Sequence, residues 1–407
     1  MHFVIHLFAV AICALFLNRV GKEDGRRLVG IFAVAYLVRG AFILCLHQFS
    51  HTGLFFFDDV QYHEQGQLIA FGKNIGPLSE ALGTAHTGYP ALIGWLYSVA
   101  DRSILSAKML NALFGALLVP VAFAICRQLW PQDKDAAFRS AWIVALFPSA
   151  IAWSGFLLKD VSLELLFAAI ILLTVVAIWK RNVWAALGLL PALYLASLFR
   201  FYAVAIWAGA LACAGIGYLV RRFIPKYRMG MLVAASVLSV AGLWNALIWL
   251  APYSEIVRTG AAFAYSAMSA PDVKLLDTSF ATVARAIFVY LFGPFPWVFG
   301  GFDPVNYVLF PGMYVAYAMF PIAAVGFWKQ IRDLEPLKIF AFAPIILLAI
   351  IEIYFFQGAP RQRLMCEFLF CMCFAVTWPV RQEFSRITKL SYAAFGLVAF
   401  GHILANL

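Results

Sequence analysis

Apolar runs of ~17–25 residues recur from one end of this chain to the other, and they leave little choice of fold. Each can cross a ~30 Å hydrocarbon layer as a helix at about 1.5 Å per residue. Inside lipid a backbone satisfies its own polar groups only as a helix or in a closed barrel. Barrel strands are short and alternating, and these runs are neither. Only 12% of the 407 residues are charged, against ~25% in an ordinary soluble domain. The sequence therefore predicts an all-α, polytopic membrane protein.

The runs fall at 1–18, 28–47, 103–126, 138–156, 160–179, 183–199, 201–220, 229–250, 305–328, 338–356, 364–380 and 390–406, about twelve helices of near-spanning length. The first lacks a basic leader and a small-residue cleavage site, so it reads as a retained span. A net charge of +10 would suit a nucleic-acid partner, but its distribution excludes one. Arg26 and Arg27, Arg127 and Lys134, Lys180 and Arg181, Arg221 and Arg222, Lys329 and Arg332, and Arg381 and Arg386 collect in loops on one side of a self-consistent topology. That bias marks those loops as cytoplasmic. Residues 48–102, 251–304 and 357–363 then lie outside. The apolar stretches 88–100 and 281–299 break the parity. The first is short, and the second carries Arg285 and is interrupted by Pro294 and Pro296, so both are expected as juxtamembrane helices on the outer side. No repeat or linker divides the chain, and 1–407 is read as one domain in the inner (plasma) membrane. The seven cysteines lie in or beside apolar runs without metal-ligand spacing, as free thiols do.

Ionisable residues are costly near the bilayer centre and are kept for a pair or for function. Arg39 lies well inside the second run. Glu164 sits one turn from Asp160, and Glu367 one turn from Arg363. Apart from Arg39 these residues fall on the outer half, as expected for a polar chamber opening outward. An internal ion pair between Arg363 and Glu367 is the alternative.

The densest polar cluster lies in the first outer segment, "LFFFDDVQYHEQG" from Leu54 to Gly66. Asp58 and Asp59 follow three phenylalanines that can anchor them. Beyond Asp59 the spacing is helical, which sets Tyr62 one turn from Asp58 and His63 one turn from Asp59, with Glu64 beside them. A carboxylate held there can take the proton of an attacking hydroxyl. The structural alternative is that Asp58 caps the helix.

The chain resembles the GT-C superfamily of polyprenyl-phosphate-sugar-dependent glycosyltransferases, in the branch of protein O-mannosyltransferases and the lipid A aminoarabinose transferase. The resemblance rests on "DDVQYHEQGQLIAFG" (Asp58 to Gly72), "HTGYPALIGWLYSVA" (His86 to Ala100), "SAKMLNALFGALL" (Ser106 to Leu118), "FGPFPW" (Phe292 to Trp297) and "GAPRQRLMCEFLF" (Gly358 to Phe370). It implies an inverting transfer of a sugar from a polyprenyl-phosphate donor to an acceptor hydroxyl at the outer, periplasmic face, in envelope glycan or lipid modification. The acceptor would be a lipid-linked glycan, a lipid or a protein. Asp58 would be the base and Asp59 its support. Tyr62, His63, Glu64, His86 and Tyr89 would line the acceptor or sugar pocket. Arg361, Arg363, Arg200, Lys159 and Arg285 are the cations available to the departing phosphate, for which guanidinium groups are suited. The family often has Glu where this chain has Asp59, and Arg where it has Lys108.

No cofactor is required by that chemistry. A divalent cation held by Asp58, Asp59, His63 and Glu64 remains an alternative, although hard cations want several oxygen ligands. No Gly-rich strand–helix turn for a nucleotide donor is present. Two other functions fit a helical membrane protein. An O-antigen polymerase or ligase would rely on outer-loop arginines, and the early acidic motif argues against it. A flippase for lipid-linked sugars would be expected to carry inverted repeats and broken helices.

Overall fold

The computed structural model describes residues 6–7, 10–11, 14–15, 22–50, 53–72, 87–100, 102–200, 202–223, 304–332, 335–356 and 363–404. The expected span 229–250, the stretch 281–299 and almost all of 1–18 lie outside them. Among the described residues there are helices and no strands. In order these are α1 (Lys22–Phe49), α2 (Phe57–Ala70), α3 (Gly88–Val99), α4 (Ile104–Leu129), α5 (Lys134–Leu146), α6 (Pro148–Ser154), α7 (Asp160–Trp179), α8 (Val183–Phe199), α9 (Tyr202–Phe223), α10 (Pro304–Arg332), α11 (Pro336–Phe356), α12 (Leu364–Thr377), a 3-10 segment (Trp378–Phe384) and α13 (Ser385–Leu404).

Six of the described helical stretches are long and apolar enough to cross a membrane, or seven if α5 and α6 form one bent span. The protein is accordingly a multi-pass, all-α membrane protein. The run expected as one helix over 138–156 is broken, with a 47° bend between α5 and α6. Pro148 explains the break, because it supplies no N–H to the helix ladder. The gap expected between 380 and 390 is a 3-10 segment that begins around Pro379 and joins α12 to α13.

Contacts between helix termini define two ends of the bundle. At one end, Asp160 at the start of α7 pairs with Arg200 between α8 and α9. Phe199 there lies 6.2 Å from Tyr89 of α3, ring centre to ring centre. At the opposite end, Lys134 at the start of α5 reaches Asp24 at the start of α1 at 2.5 Å. Trp130, just after α4, donates through Nε1 to Gln330 near the end of α10 at 3.3 Å. Arg127, Lys180, Arg221, Arg222 and Lys329 all occur at helix termini of that second, basic end. Helices α2 and α3 pack on each other at the first end. The 12 residues of α3 would reach only ~18 Å as a helix, too short for a span.

The core between the helices is built from small and aromatic residues. Ala112, Ala116 and Ala122 of α4 are fully buried, and so are Phe32 of α1 and Phe167 of α7. The described cysteines are all free, and only Cys45 among them is exposed.

Candidate active site

The two aspartates lie in the first turn of α2 and are treated differently by the fold. The helix begins after Phe56, whose side chain offers no cap. Asp59 instead reaches back to the chain entering the helix: its Oδ2 accepts the backbone N–H of Phe55 at 3.1 Å. It is fully buried. Asp58, beside it on the same turn, stays partly exposed. A carboxylate at a helix start also sits favourably against the positive end of the helix dipole.

The segment leading to Asp58 is fixed from several sides. Gly53 adopts a φ of +67°, and a Cβ there would come within 2.9 Å of His47 Nδ1 at the end of α1. Lys108 of α4, buried, donates to the Gly53 carbonyl, and its ammonium lies 5.0 Å from the centre of the Phe55 ring. It also lies within electrostatic reach of Asp59. Phe56 stacks on Trp153 at 6.0 Å and meets Phe156 edge-on at 5.0 Å. The apolar anchor expected of the phenylalanine run is thus provided by Phe55 and Phe56.

Asn111, one turn beyond Lys108, joins three elements. Its Nδ2 donates to the carbonyls of Phe156 and Leu158 at 2.8 and 3.1 Å, and its Oδ1 accepts from the Tyr89 hydroxyl at 3.2 Å. It locks the turn before α7 and the start of α3 onto α4. Neither Asn111 nor Lys108 stood out as a site residue in the sequence. The available signal was the presence of two polar side chains, a turn apart, inside an apolar run.

The other anticipated pocket residues are placed as follows. Tyr62 and Tyr89 are buried and pack edge-on at 5.1 Å. Burial pushes the Tyr89 hydroxyl well above the usual tyrosine range, so it acts as a neutral donor. His63 is tied up between helices: Nδ1 bonds the Tyr97 hydroxyl at 2.8 Å and Nε2 faces Gln67 Nε2 at 2.9 Å. Burial holds its pKa below the ordinary 6.5, partly opposed by Glu64. Glu64 is exposed. These contacts make His63 a joint between α2 and α3.

Among the anticipated cations, Lys159 and Arg200 are buried at the same end of the bundle. The Lys159 ammonium lies 6.0 Å from the centre of the Tyr62 ring. Arg200 donates to Asp160 Oδ1 at 2.7 Å and to the Tyr202 hydroxyl. Arg363, at the start of α12, lies 3.9 Å from Glu367, the pair that their one-turn spacing allows. Glu164 belongs with that neighbouring cluster, since its Oε1 accepts the N–H of Phe368 at 3.3 Å. His86, Arg285 and Arg361 lie outside the described residues. Among the described residues no group of three or more His, Cys, Asp or Glu side chains is placed to hold a metal ion.

The arrangement sets one partly exposed carboxylate, Asp58, on a helix start that is anchored to three neighbouring elements, with a lysine and an arginine on the adjoining turns. No protein-family model matches the chain, and no curated protein matches it either.

Proposed function

We propose that this protein is a GT-C-like membrane glycosyltransferase, with its reaction at the end of the bundle that carries α2 and α3. The supporting observation is the position of Asp58. It is partly exposed on the first turn of α2, one turn from Tyr62, whose ring is 6.0 Å from the Lys159 ammonium. The basic helix termini at the opposite end favour a cytoplasmic orientation for that end and an outer, periplasmic one for Asp58. Twelve spans in the inner membrane complete the proposed topology.

In the proposed reaction the acceptor hydroxyl attacks the anomeric carbon of a polyprenyl-phosphate-linked sugar from the face opposite the phosphate. The new C–O bond forms as the bond to the phosphate oxygen breaks, configuration inverts, and Asp58 takes the hydroxyl proton. Asp59 keeps Asp58 in place through the Phe55 N–H. Charge gathers on the departing lipid phosphate, where Lys159 and the guanidinium groups of Arg200 and Arg363 are the described candidates to balance it, alongside Arg285 and Arg361 of the sequence. One preorganised donor of this kind is worth about 10²–10³ in rate. A flippase is the second reading, since the bend between α5 and α6 is a broken helix of the kind expected of one. The buried guanidinium of Arg39 at that break is held by the carbonyls of Ala35, Val144 and Ala145, as a structural contact is.

The test is transfer from labelled undecaprenyl-phosphate sugars to candidate acceptors by purified protein, wild type against Asp58→Asn. Loss of transfer by about 10²-fold or more, with unchanged donor binding and thermal stability, is expected for the base. Undiminished transfer in the variant removes Asp58 from the chemistry. Failure of the wild type with every donor, coupled with movement of labelled donor across proteoliposomes, replaces the enzyme by a flippase.

A further inference from the structure

At the basic end of the bundle, the start of α1, one face of α5 and the junction of α12 with the 3-10 segment border a groove of ≈ 400 Å³. Arg27, Asp135, Phe138, Arg139, Trp142 and Trp378 line it. The fold arranges its cations before any ligand arrives. The Arg27 guanidinium lies 4.1 Å over the Phe138 ring, and among the described residues it makes no hydrogen bond or ion pair. Arg139 is oriented by the donation of its Nε to the Ala375 carbonyl at 3.0 Å, at the end of α12. Its Nη2 makes a long contact of 3.4 Å with Asp133, in a half-exposed pair. Such pairs contribute little. Its Nη1 has no hydrogen-bond partner among the described residues. With Asp135 included, two guanidinium groups face one carboxylate in the lining.

The remaining chemistry of the groove is that of a membrane interface. Trp142 and Trp378 are exposed by 37% and 41%, and Arg381 stacks on the Trp378 ring at 4.0 Å. Leu146, one turn beyond Trp142 on α5, is 45% exposed, so the apolar surface continues along the bundle from the charged mouth. Guanidinium forks match phosphate oxygens, indoles favour the headgroup level, and basic pockets between helices suit anionic headgroups. A soluble phosphate would use only the first of these features.

We propose that this groove binds the headgroup of an anionic phospholipid, with Arg27 and Arg139 on its phosphate and the acyl chains running along α5 past Leu146. The site is separate from the aspartates of α2 and does not depend on the function proposed for them.

The test is native mass spectrometry of the full chain from detergent, titrated with phosphatidylglycerol, phosphatidylcholine or inorganic phosphate. The wild type should retain phosphatidylglycerol in preference to phosphatidylcholine. Arg27→Gln should weaken that retention by roughly fivefold, and the Arg27→Gln, Arg139→Gln pair by about 25-fold. The single variant guards against misfolding, because the Arg27 side chain makes no hydrogen bond among the described residues. Equal retention of both lipids by the wild type, or unchanged preference in Arg27→Gln, overturns the proposal. Displacement of the lipid by millimolar inorganic phosphate also overturns it, and would identify a small-anion site instead.

Discussion

Arg39 Nη2 donates to the carbonyl of Val144 at 3.1 Å, and that carbonyl is the one Pro148 leaves without a helical partner. Four residues separate Val144 from Pro148, and proline has no N–H to complete the ladder. Nη1 adds the Ala145 carbonyl at 2.7 Å. A charged side chain fully buried in a membrane helix is thereby matched to a break in its neighbour. Arg39→Leu should lower stability by about 3–5 kcal/mol, since each buried carbonyl left without a partner costs ~1–3 kcal/mol. Thermal unfolding in detergent measures this, and a melting curve matching wild type would mean that water replaces the guanidinium.

Gly115 gives Arg39 the room to make those bonds. A Cβ at Gly115 would fall 2.6 Å from Arg39 Nε and 2.9 Å from Ser154 Oγ. Gly115→Ala should therefore cost about 1–3 kcal/mol by overpacking. Gly30 is the matched control, because its Cβ would meet nothing within 4 Å. Gly30→Ala should leave the melting temperature unchanged or raise it slightly, as alanine is the better helix former. Equal effects at both glycines would argue against a steric role for Gly115.

Asp58 and Asp59 should separate in experiment, although they are adjacent in sequence. Asp59→Ala removes the acceptor of the Phe55 N–H and takes a carboxylate away from the buried Lys108. Loss of such a helix-start contact costs ~0.5–2 kcal/mol, and the missing charge beside Lys108 adds to it. Asp59→Ala is expected to lower the melting temperature clearly, and Asp58→Asn is not. The reverse order would exchange their structural roles.

The helices were legible because a 20-residue apolar run admits one solution in lipid, and the helical spacing after Asp59 correctly foretold α2. The bend at Pro148 was hidden because an unbroken apolar composition conceals a missing N–H. The site was less legible. Sequence places acids and aromatics in one outer segment, but it cannot say which carboxylate turns inward. That choice depends on Lys108, which lies some 50 residues further along the chain and meets the segment at the Gly53 carbonyl, the Phe55 ring and Asp59. His63 shows the same limit: its spacing to Asp59 is legible, but its bonds to Tyr97 and Gln67 depend on how α2 and α3 pack.

The histidine also makes stability depend on pH. Gln67 Nε2 can only donate, so His63 Nε2 accepts, and the neutral ring donates through Nδ1 to Tyr97. Protonation would set a donor against a donor. Because burial lowers the folded-state pKa below the ordinary 6.5, the unfolded chain takes up this proton first. The contribution of His63 is complete above pH 6.5 and is lost as pH falls through the lower, folded-state pKa. Melting temperatures measured from pH 7.5 to 5 should decline in the wild type, and His63→Gln should flatten that part of the profile. A slope unaltered by the substitution would assign the decline to another group.

Arg200 and Asp160 form a contact whose energetics bear on the placement of Lys159. The pair is 2.7 Å long with both side chains buried, and it joins the start of α7 to the turn between α8 and α9. Removing one partner of a buried pair strands the other, at about 3–5 kcal/mol. Replacing both with neutral residues of similar size costs far less, because no charge remains stranded. Asp160→Asn and Arg200→Met should each be strongly destabilising, while the double variant recovers most of the loss. In a double-mutant cycle the coupling should then exceed about 1 kcal/mol. Lys159 lies next to this clamp and turns its ammonium toward Tyr62, so its substitution should read out differently. Lys159→Gln is expected to weaken binding of undecaprenyl phosphate with little change in melting temperature. If the cycle shows no coupling, and Arg200→Met weakens lipid-phosphate binding instead of stability, then the guanidinium serves the phosphate directly and the ion pair is incidental.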